Sequence, residues 1–260
     1  MVVEAAAGTS PAAATWIELQ PTGVAPPPDL FGGRVFYDAP TNRLIVYVSG
    51  NPVLNPHGNE VWVLTNANGS GGIPEWIRLS VTNPQARVAH SAVYDAASNG
   101  MITFAGRMAF YGRDKNDTRV LSNANGLASP STWTTLAPSG GPPGVREFHS
   151  AVYDAATRKM VVFGGTNLIQ TCCPYVQSDY NDTWILSDAD GLSGTPTWTQ
   201  IAPAGGPPPA RWAHAAVYDS ARDRMIVFGG RQWQQASQTH ALVADLWELR
   251  NAMGARGTPE

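Results

Sequence analysis

A chain of 260 residues with 43% hydrophobic residues can build a sizeable core. Only 14% of its residues are charged and the net charge is −3, which gives no electrostatic ground for nucleic acid or an anionic membrane as partner. No apolar run approaches the roughly 18 residues that a bilayer-spanning helix needs, while 26 glycines and 21 prolines suit many short strands and turns.

Residues 1–14 (MVVEAAAGTSPAAA) lack a basic n-region and carry Glu4 inside their only apolar stretch. They read as a flexible leader, and no signal peptide is visible, although an exported parent protein is compatible with the rest of the chain. Trp16–Leu19 (WIEL) reads as a lone strand followed by a Pro-rich turn. It matches WIRL from Trp76, WTTL from Trp133 and WTQI from Trp198, each of which closes a longer unit. The first full unit, about 30–79, predicts strands over Arg34–Asp38, Leu44–Val48, Val61–Leu64 and Trp76–Leu79. Two further units follow at 87–136 and 146–201, and a fourth begins at Arg211 and reaches Leu249. Their opening hairpins are near copies: RVAHSAVYDAASNGMITFAG, REFHSAVYDAATRKMVVFGG and RWAHAAVYDSARDRMIVFGG. Self-similarity at this period signals a repeat architecture. The fourth unit has no Trp strand of its own, so residues 16–19 either complete it and close a ring or mark a segment of a longer array. The repeats thus fill 15–250, and residues 251–260 form a tail or closing loop.

Units of four strands, with Gly164-Gly165 and Gly229-Gly230 after the second strand and Trp in the fourth, resemble kelch repeats. The pairs Tyr94-Asp95, Tyr153-Asp154 and Tyr218-Asp219 belong to the same pattern, and NDTWILSDADGLSGTPTWTQIAP (181–203) is similar to bacterial-type repeats. The resemblance covers Trp16 to about Leu249 and implies an all-β fold, a β-propeller of four radial blades. Ser49-Gly50 and Ala105-Gly106 depart from Gly-Gly, and Arg119 replaces a third-strand Trp. Kelch propellers include binding scaffolds and enzymes, so the fold alone assigns no activity.

In antiparallel blades, the segments leading into strand one share a face with the strand two–three loops. That face gathers the long, dissimilar loops 51–59, 107–116, 166–180 and 231–240 on a repeating framework, the usual place for binding. Arg107, Phe110, Tyr111, Cys172, Cys173, Tyr175 and Trp233 are the candidate ligand contacts, because Arg and aromatic side chains combine contact area with directional donors. The adjacent Cys172 and Cys173 cannot staple distant parts of the chain; they are free thiols, a strained vicinal ring or an intermolecular pair. Arg87, Arg146 and Arg211 open the repeated hairpins and predict a channel collar. His90, His149 and His214 follow them; they either join that collar or, if they converge, form a three-His metal site. Asp38, Asp95, Asp154 and Asp219 read as turn formers.

The leading reading is a non-enzymatic binding module for a protein or glycan, with no cofactor expected. The alternatives are a metal-dependent enzyme with a divalent ion at the three histidines, and a structural array that self-associates through blade edges. The balance leans away from an enzyme.

Overall fold

A computed structural model describes residues 15–27, 31–49, 60–82, 87–108, 114–169, 176–234, 237, 239–254, 257 and 259. After a two-residue strand, β1 (Thr22–Gly23), the chain builds four antiparallel sheets in succession. Blade 1 holds β2 (Phe31–Asp38), β3 (Arg43–Ser49), β4 (Glu60–Leu64) and β5 (Glu75–Arg78). After β6 (Val81–Thr82), blade 2 holds β7 (Ser91–Asp95), β8 (Gly100–Arg107), β9 (Asp114–Ser122) and β10 (Ser131–Thr135). Blade 3 comprises β11 (Ser150–Asp154), β12 (Lys159–Phe163), a separate hairpin of β13 (Thr166–Ile169) and β14 (Val176–Asp179), then β15 (Thr183–Ser187) and β16 (Thr197–Ile201). Blade 4 comprises β17 (Arg211–Trp212), β18 (Ala215–Asp219), β19 (Arg224–Gln234) and β20 (Thr239–Arg250). The first main strands β2, β7, β11 and β18 meet one another in sequence, so they are the inner strands of a β-propeller.

Blades 2 and 3 bury both faces, and so their strands alternate weakly. Ile45, Tyr47 and Val61 of blade 1 pack on Ala92, Met101, Leu121 and Trp133 of blade 2. The opposite face of blade 2, with Val93, Ile102 and Phe104, packs on Met160, Leu186 and Trp198 of blade 3. Val152, Val161 and Phe163 of blade 3 then meet Met225, Val227, Ala252 and Met253. Ala252 and Met253 are fully buried, so the first residues after β20 are part of the blade 3–4 core.

The stack leaves two faces open. Val35 and Tyr37 on blade 1 are 56% and 47% exposed, and Val217, Phe228 and Leu246 on blade 4 are 62%, 52% and 69% exposed. Trp16–Leu19 forms no strand, and Trp16 lies fully in solvent. Just beyond it, Thr22–Gly23 pairs in parallel with Glu75–Trp76 of blade 1.

The small-residue pairs have a steric purpose. Gly164 and Gly165 adopt φ of 64° and 98°, and Gly229 and Gly230 adopt 66° and 104°, all in the region that favours glycine. A Cβ on Gly165 would lie 2.8 Å from both the Glu147 carbonyl and the His149 Cβ. The pair lets strand two pass close under the segment that leads into strand one. In blades 2 and 4 the ladder continues past a register shift at Phe104/Gly106 and Phe228/Gly230. The long loops of the sequence reading are therefore, in part, β-hairpins that stand on this face.

Candidate functional site

The three arginines are structural clamps inside their own blades. Arg146 is fully buried, donates to both oxygens of Asp182 at 2.7 and 2.8 Å, and reaches the Gly164 carbonyl at 3.0 Å. Its guanidinium lies 4.4 Å from the Tyr180 ring centroid. Arg211 repeats this with Asp245 at 2.6 and 2.8 Å and the Gly229 carbonyl at 3.2 Å. Arg87 pairs with Asp117 and donates to the Ala105 carbonyl at 3.1 Å. The carboxylate also accepts from the next-but-one indole, Trp184 to Asp182 and Trp247 to Asp245, both at 2.7 Å. In blade 2 the residue in that place is Arg119, which stacks 5.1 Å over Trp133 instead. Burial pushes the Asp182 carboxyl up, but the hydrogen bonds and charge of Arg146 and the Trp184 donor outweigh it and hold Asp182 below its ordinary range.

The histidines tie one blade to the previous one. His149 Nε2 lies 2.7 Å from Ser91 Oγ, and His214 Nε2 lies 2.8 Å from Ser150 Oγ. Blade 1 offers Arg34 where blades 2 and 3 offer that serine, and Arg34 donates to the His90 carbonyl at 2.9 Å while the His90 ring packs on Tyr47. Burial, reinforced by nearby guanidinium charge, pushes His90 down to about 3, His214 down to about 4 and His149 well below the ordinary imidazole value. All three rings are therefore neutral at pH 7. They do not converge: among the described residues no group of three or more His, Cys, Asp or Glu is placed to hold a metal ion. Backbone bonds complete the collar, from Phe148 N–H to the Ala89 carbonyl and from Ala213 N–H to the Phe148 carbonyl, both 2.9 Å.

The opposite face is held by turns. Thr41 donates to Asp38, Ser98 to Asp95, Thr157 to Asp154 and Arg222 to Asp219. Asp188, part of the Asp-Ala-Asp-Gly loop, is taken up by Arg158.

On the hairpin face, β13–β14 of blade 3 leans towards β19–β20 of blade 4. His240 Nε2 lies 2.6 Å from Asp179 Oδ2, and Gln177 Nε2 donates to Asp179 Oδ1 at 2.8 Å. The His240 ring stands edge-on between Trp233 and Trp212, 5.2 and 5.8 Å away. Arg231 covers Trp212 at 5.2 Å, and Phe148 flanks it at 5.4 Å. Gln177, Asp179, Ala210, Trp233 and His240 line an open cavity of about 580 Å³. Trp233 and Phe148 are 42% and 38% exposed beside it. Rings that large, left in solvent and fixed by neighbours, are suited to anchoring a ligand.

Arg107 stands on the same face over blades 2 and 3. It forms an ion pair with the buried Glu147 at 3.3 Å but without hydrogen-bond geometry. Burial raises the Glu147 carboxyl to about 7, with Arg107 opposing and Asp114 adding to the rise. Phe110, Tyr111, Cys172, Cys173 and Tyr175 lie outside the described residues. Trp233 is thus brought into a built cavity, while Arg107 is placed against a buried carboxylate. Gln177, Asp179 and His240 escaped the sequence reading because they come from different blades and meet only through the fold.

A family model described as the KLHDC2/KLHL20/DRC7 Kelch-repeats domain matches residues 31–251. Kelch domain-containing protein 3 of Bos taurus is 30% identical over 159 residues, which is 60% of this chain and 37% of that protein. A chain in a cryo-EM structure of RAG in complex with one melted and one unmelted RSS superposes with a TM-score of 0.54 at 16% identity, covering 88% of this chain and 65% of that one. At that identity the likeness concerns the fold. The chain therefore spans about a third of the relative and about two thirds of the structural neighbour.

Proposed function

The chain belongs to the kelch-repeat family, and from that premise we propose that it is a protein-binding module whose ligand rests on the hairpin face between blades 3 and 4. The observation that carries this reading is the cavity of about 580 Å³ beside the exposed Trp233. A fixed indole offers contact area at low entropic cost, and the neighbouring Gln177, Asp179 and His240 offer paired donors and acceptors that can read a peptide backbone or side chain. Below it, the Arg211 clamp braces blade 4 from within, and the His214 contact to Ser150 joins blade 4 to blade 3. Arg231 and Phe148 extend the surface on either side of Trp212.

Selection from a displayed random-peptide library tests the proposal. Peptides enriched on the wild-type chain should lose binding on Trp233→Ala and on His240→Ala. They should keep it on Leu192→Ser, which alters an exposed position on the opposite face. Enrichment that ignores both hairpin-face variants would refute the assignment. Binding that depends on Trp233 but is found only on a glycan array would transfer the surface to carbohydrate.

A further inference from the structure

Blade 4 has three main strands among the described residues, and β20 pairs on one side only, with β19. Beside its other edge runs a groove of about 220 Å³. Phe163 and Thr183 of blade 3 form one wall, Met225, Val227 and the β20 residues Trp247–Leu249 the other, and the Pro203–Pro208 segment crosses it.

The other three blades show what fits such a groove. Their fourth strands β5, β10 and β16 pair antiparallel with the third strand, matching Leu64 with Trp76, Leu121 with Trp133 and Leu186 with Trp198. On the far side each meets, in parallel, the segment that follows the previous fourth strand: Glu75 with Thr22, Thr132 with Thr82, Thr197 with Ser139. The Trp then stacks on an aromatic ring of the preceding blade. Trp133 lies 5.4 Å from Tyr47, and Trp198 lies 4.9 Å from Phe104. In blade 4 the equivalent positions are all present and line the groove, with no fourth strand on them among the described residues: Leu249 for the third strand, Ala204 for the parallel segment and Phe163 for the ring.

Residues 15–19 have the matching sequence, Thr-Trp-Ile-Glu-Leu, against Ser-Thr-Trp-Thr-Thr-Leu and Thr-Trp-Thr-Gln-Ile. They are already poised as the fourth strand of a blade preceding blade 1. A Cβ on Gly69 would meet the Leu19 side chain at 3.1 Å, as one on Gly126 would meet Leu79 and one on Gly191 would meet Leu136. Yet Trp16 and Ile17 are 103% and 77% exposed.

We propose that the open edge of blade 4 is the docking site for residues 15–19 of a second copy of this chain. In the complex, Trp16 pairs with Leu249 and stacks on Phe163, and Thr15 lies beside Ala204. The partner's blade 1 then follows blade 4 as blade 2 follows blade 1. That places the exposed Val35 and Tyr37 of one copy against the exposed Val217, Phe228 and Leu246 of the other. These are the same sides of the sheet that meet at the inner interfaces, where Tyr153 packs on the cluster containing Val93 and Phe104. A single insertion therefore satisfies an unpaired strand edge, an aromatic groove and two apolar faces. Within one chain, residues 19–23 are held on blade 1, and the end faces of blades 1 and 4 stay exposed. The contact is head-to-tail, so it generates closed rings, a ring of two copies among them, or open assemblies.

The test uses the full chain with Cys172→Ser and Cys173→Ser. Neighbouring residues across a parallel pair are within disulfide reach. Mixing a Thr15→Cys variant with an Ala204→Cys variant should give a covalent dimer under mild oxidation. Sedimentation velocity of the wild type should show concentration-dependent assembly. Trp16→Ala, which changes a solvated side chain of the single copy, should raise the dissociation constant about 10- to 1,000-fold. A wild type that stays monomeric at every concentration would overturn the proposal. So would an internally bridged monomer from the Thr15→Cys/Ala204→Cys double variant, since residues 15–19 would then close on their own chain.

Discussion

Replacing Asp182 by Ala should destabilise the fold by about 3–5 kcal/mol, the range for removing one partner of a buried ion pair. The size follows from the surroundings of Arg146. Its side chain is completely buried, whereas the Asp182 side chain is 19% exposed. The substitution removes two charge-assisted bonds of 2.7 and 2.8 Å and takes the acceptor from the Trp184 indole. What remains to Arg146 is two carbonyls, Gly144 and Gly164, each at 3.0 Å, and the face of the Tyr180 ring at 4.4 Å, none of which carries the charge that neutralises a guanidinium out of water. Arg146→Met together with Asp182→Ala should recover part of the loss, because no unpaired charge is then buried. The effect should weaken from Asp182 to Asp117 to Asp245, whose side chains are 19%, 29% and 39% exposed. Urea unfolding of the single variants and the double-mutant cycle measures all of this. A loss under about 1 kcal/mol, the ordinary worth of an exposed pair, would refute the clamp reasoning.

Glu147 gives a pH signature: its carboxyl is raised from 4.5 to about 7 in the folded chain, so the folded state holds that proton more tightly than the unfolded state. Its contribution to stability is present below 4.5 and lost as pH rises to about 7. Relative to Glu147→Gln, the wild type should lose stability across that window, as read by urea midpoints, and a relative gain would contradict the assignment. Gly165→Ala should cost more than Gly205→Ala. Both have φ near +90°, at 98° and 84°, and carry the backbone penalty of about 1–2 kcal/mol, but only Gly165 has neighbours within 4 Å. Thermal unfolding compares them. Trp198→Ala, which empties a 2%-exposed site against Phe104, should cost about 3–5 kcal/mol. Trp16→Ala should leave the stability of a single copy unchanged, because its ring touches only solvent.

Much of the architecture is written locally. Strand–turn–strand copies ending in Ala-Gly or Gly-Gly mark blades 2 to 4, because a two-residue alternation and a left-handed pair are properties of neighbouring residues. The expected first-blade strands at Arg34–Asp38, Leu44–Val48, Val61–Leu64 and Trp76–Leu79 lie within a residue or a few of β2 to β5. The four turn aspartates are equally local, each bonded within three residues.

The clamp partners were less visible. Arg146 finds its carboxylate at Asp182, across the blade, and Arg211 finds Asp245. Asn-Asp-Thr marks Asp117 and Asp182, but blade 4 reads Ala244-Asp245-Leu246, which hides the third copy. Periodicity places each side chain on a face of its strand and says nothing of which distant charge will face it. The same limit governs the candidate site. Trp233 stands out as a loop aromatic, but its cavity needs Asp179 and Gln177 from blade 3 and His240 from blade 4. The sequence by itself determined the repeating blades, their Trp strands and the small-residue pairs, all encoded within a few residues. Only the tertiary structure decided which blade faces are buried, that Ala252 and Met253 belong to the core, that Trp16 stands in solvent, and that a groove opens at Phe163 among the described residues. Those outcomes depend on how one sheet stacks on the next, and stacking couples residues tens of positions apart.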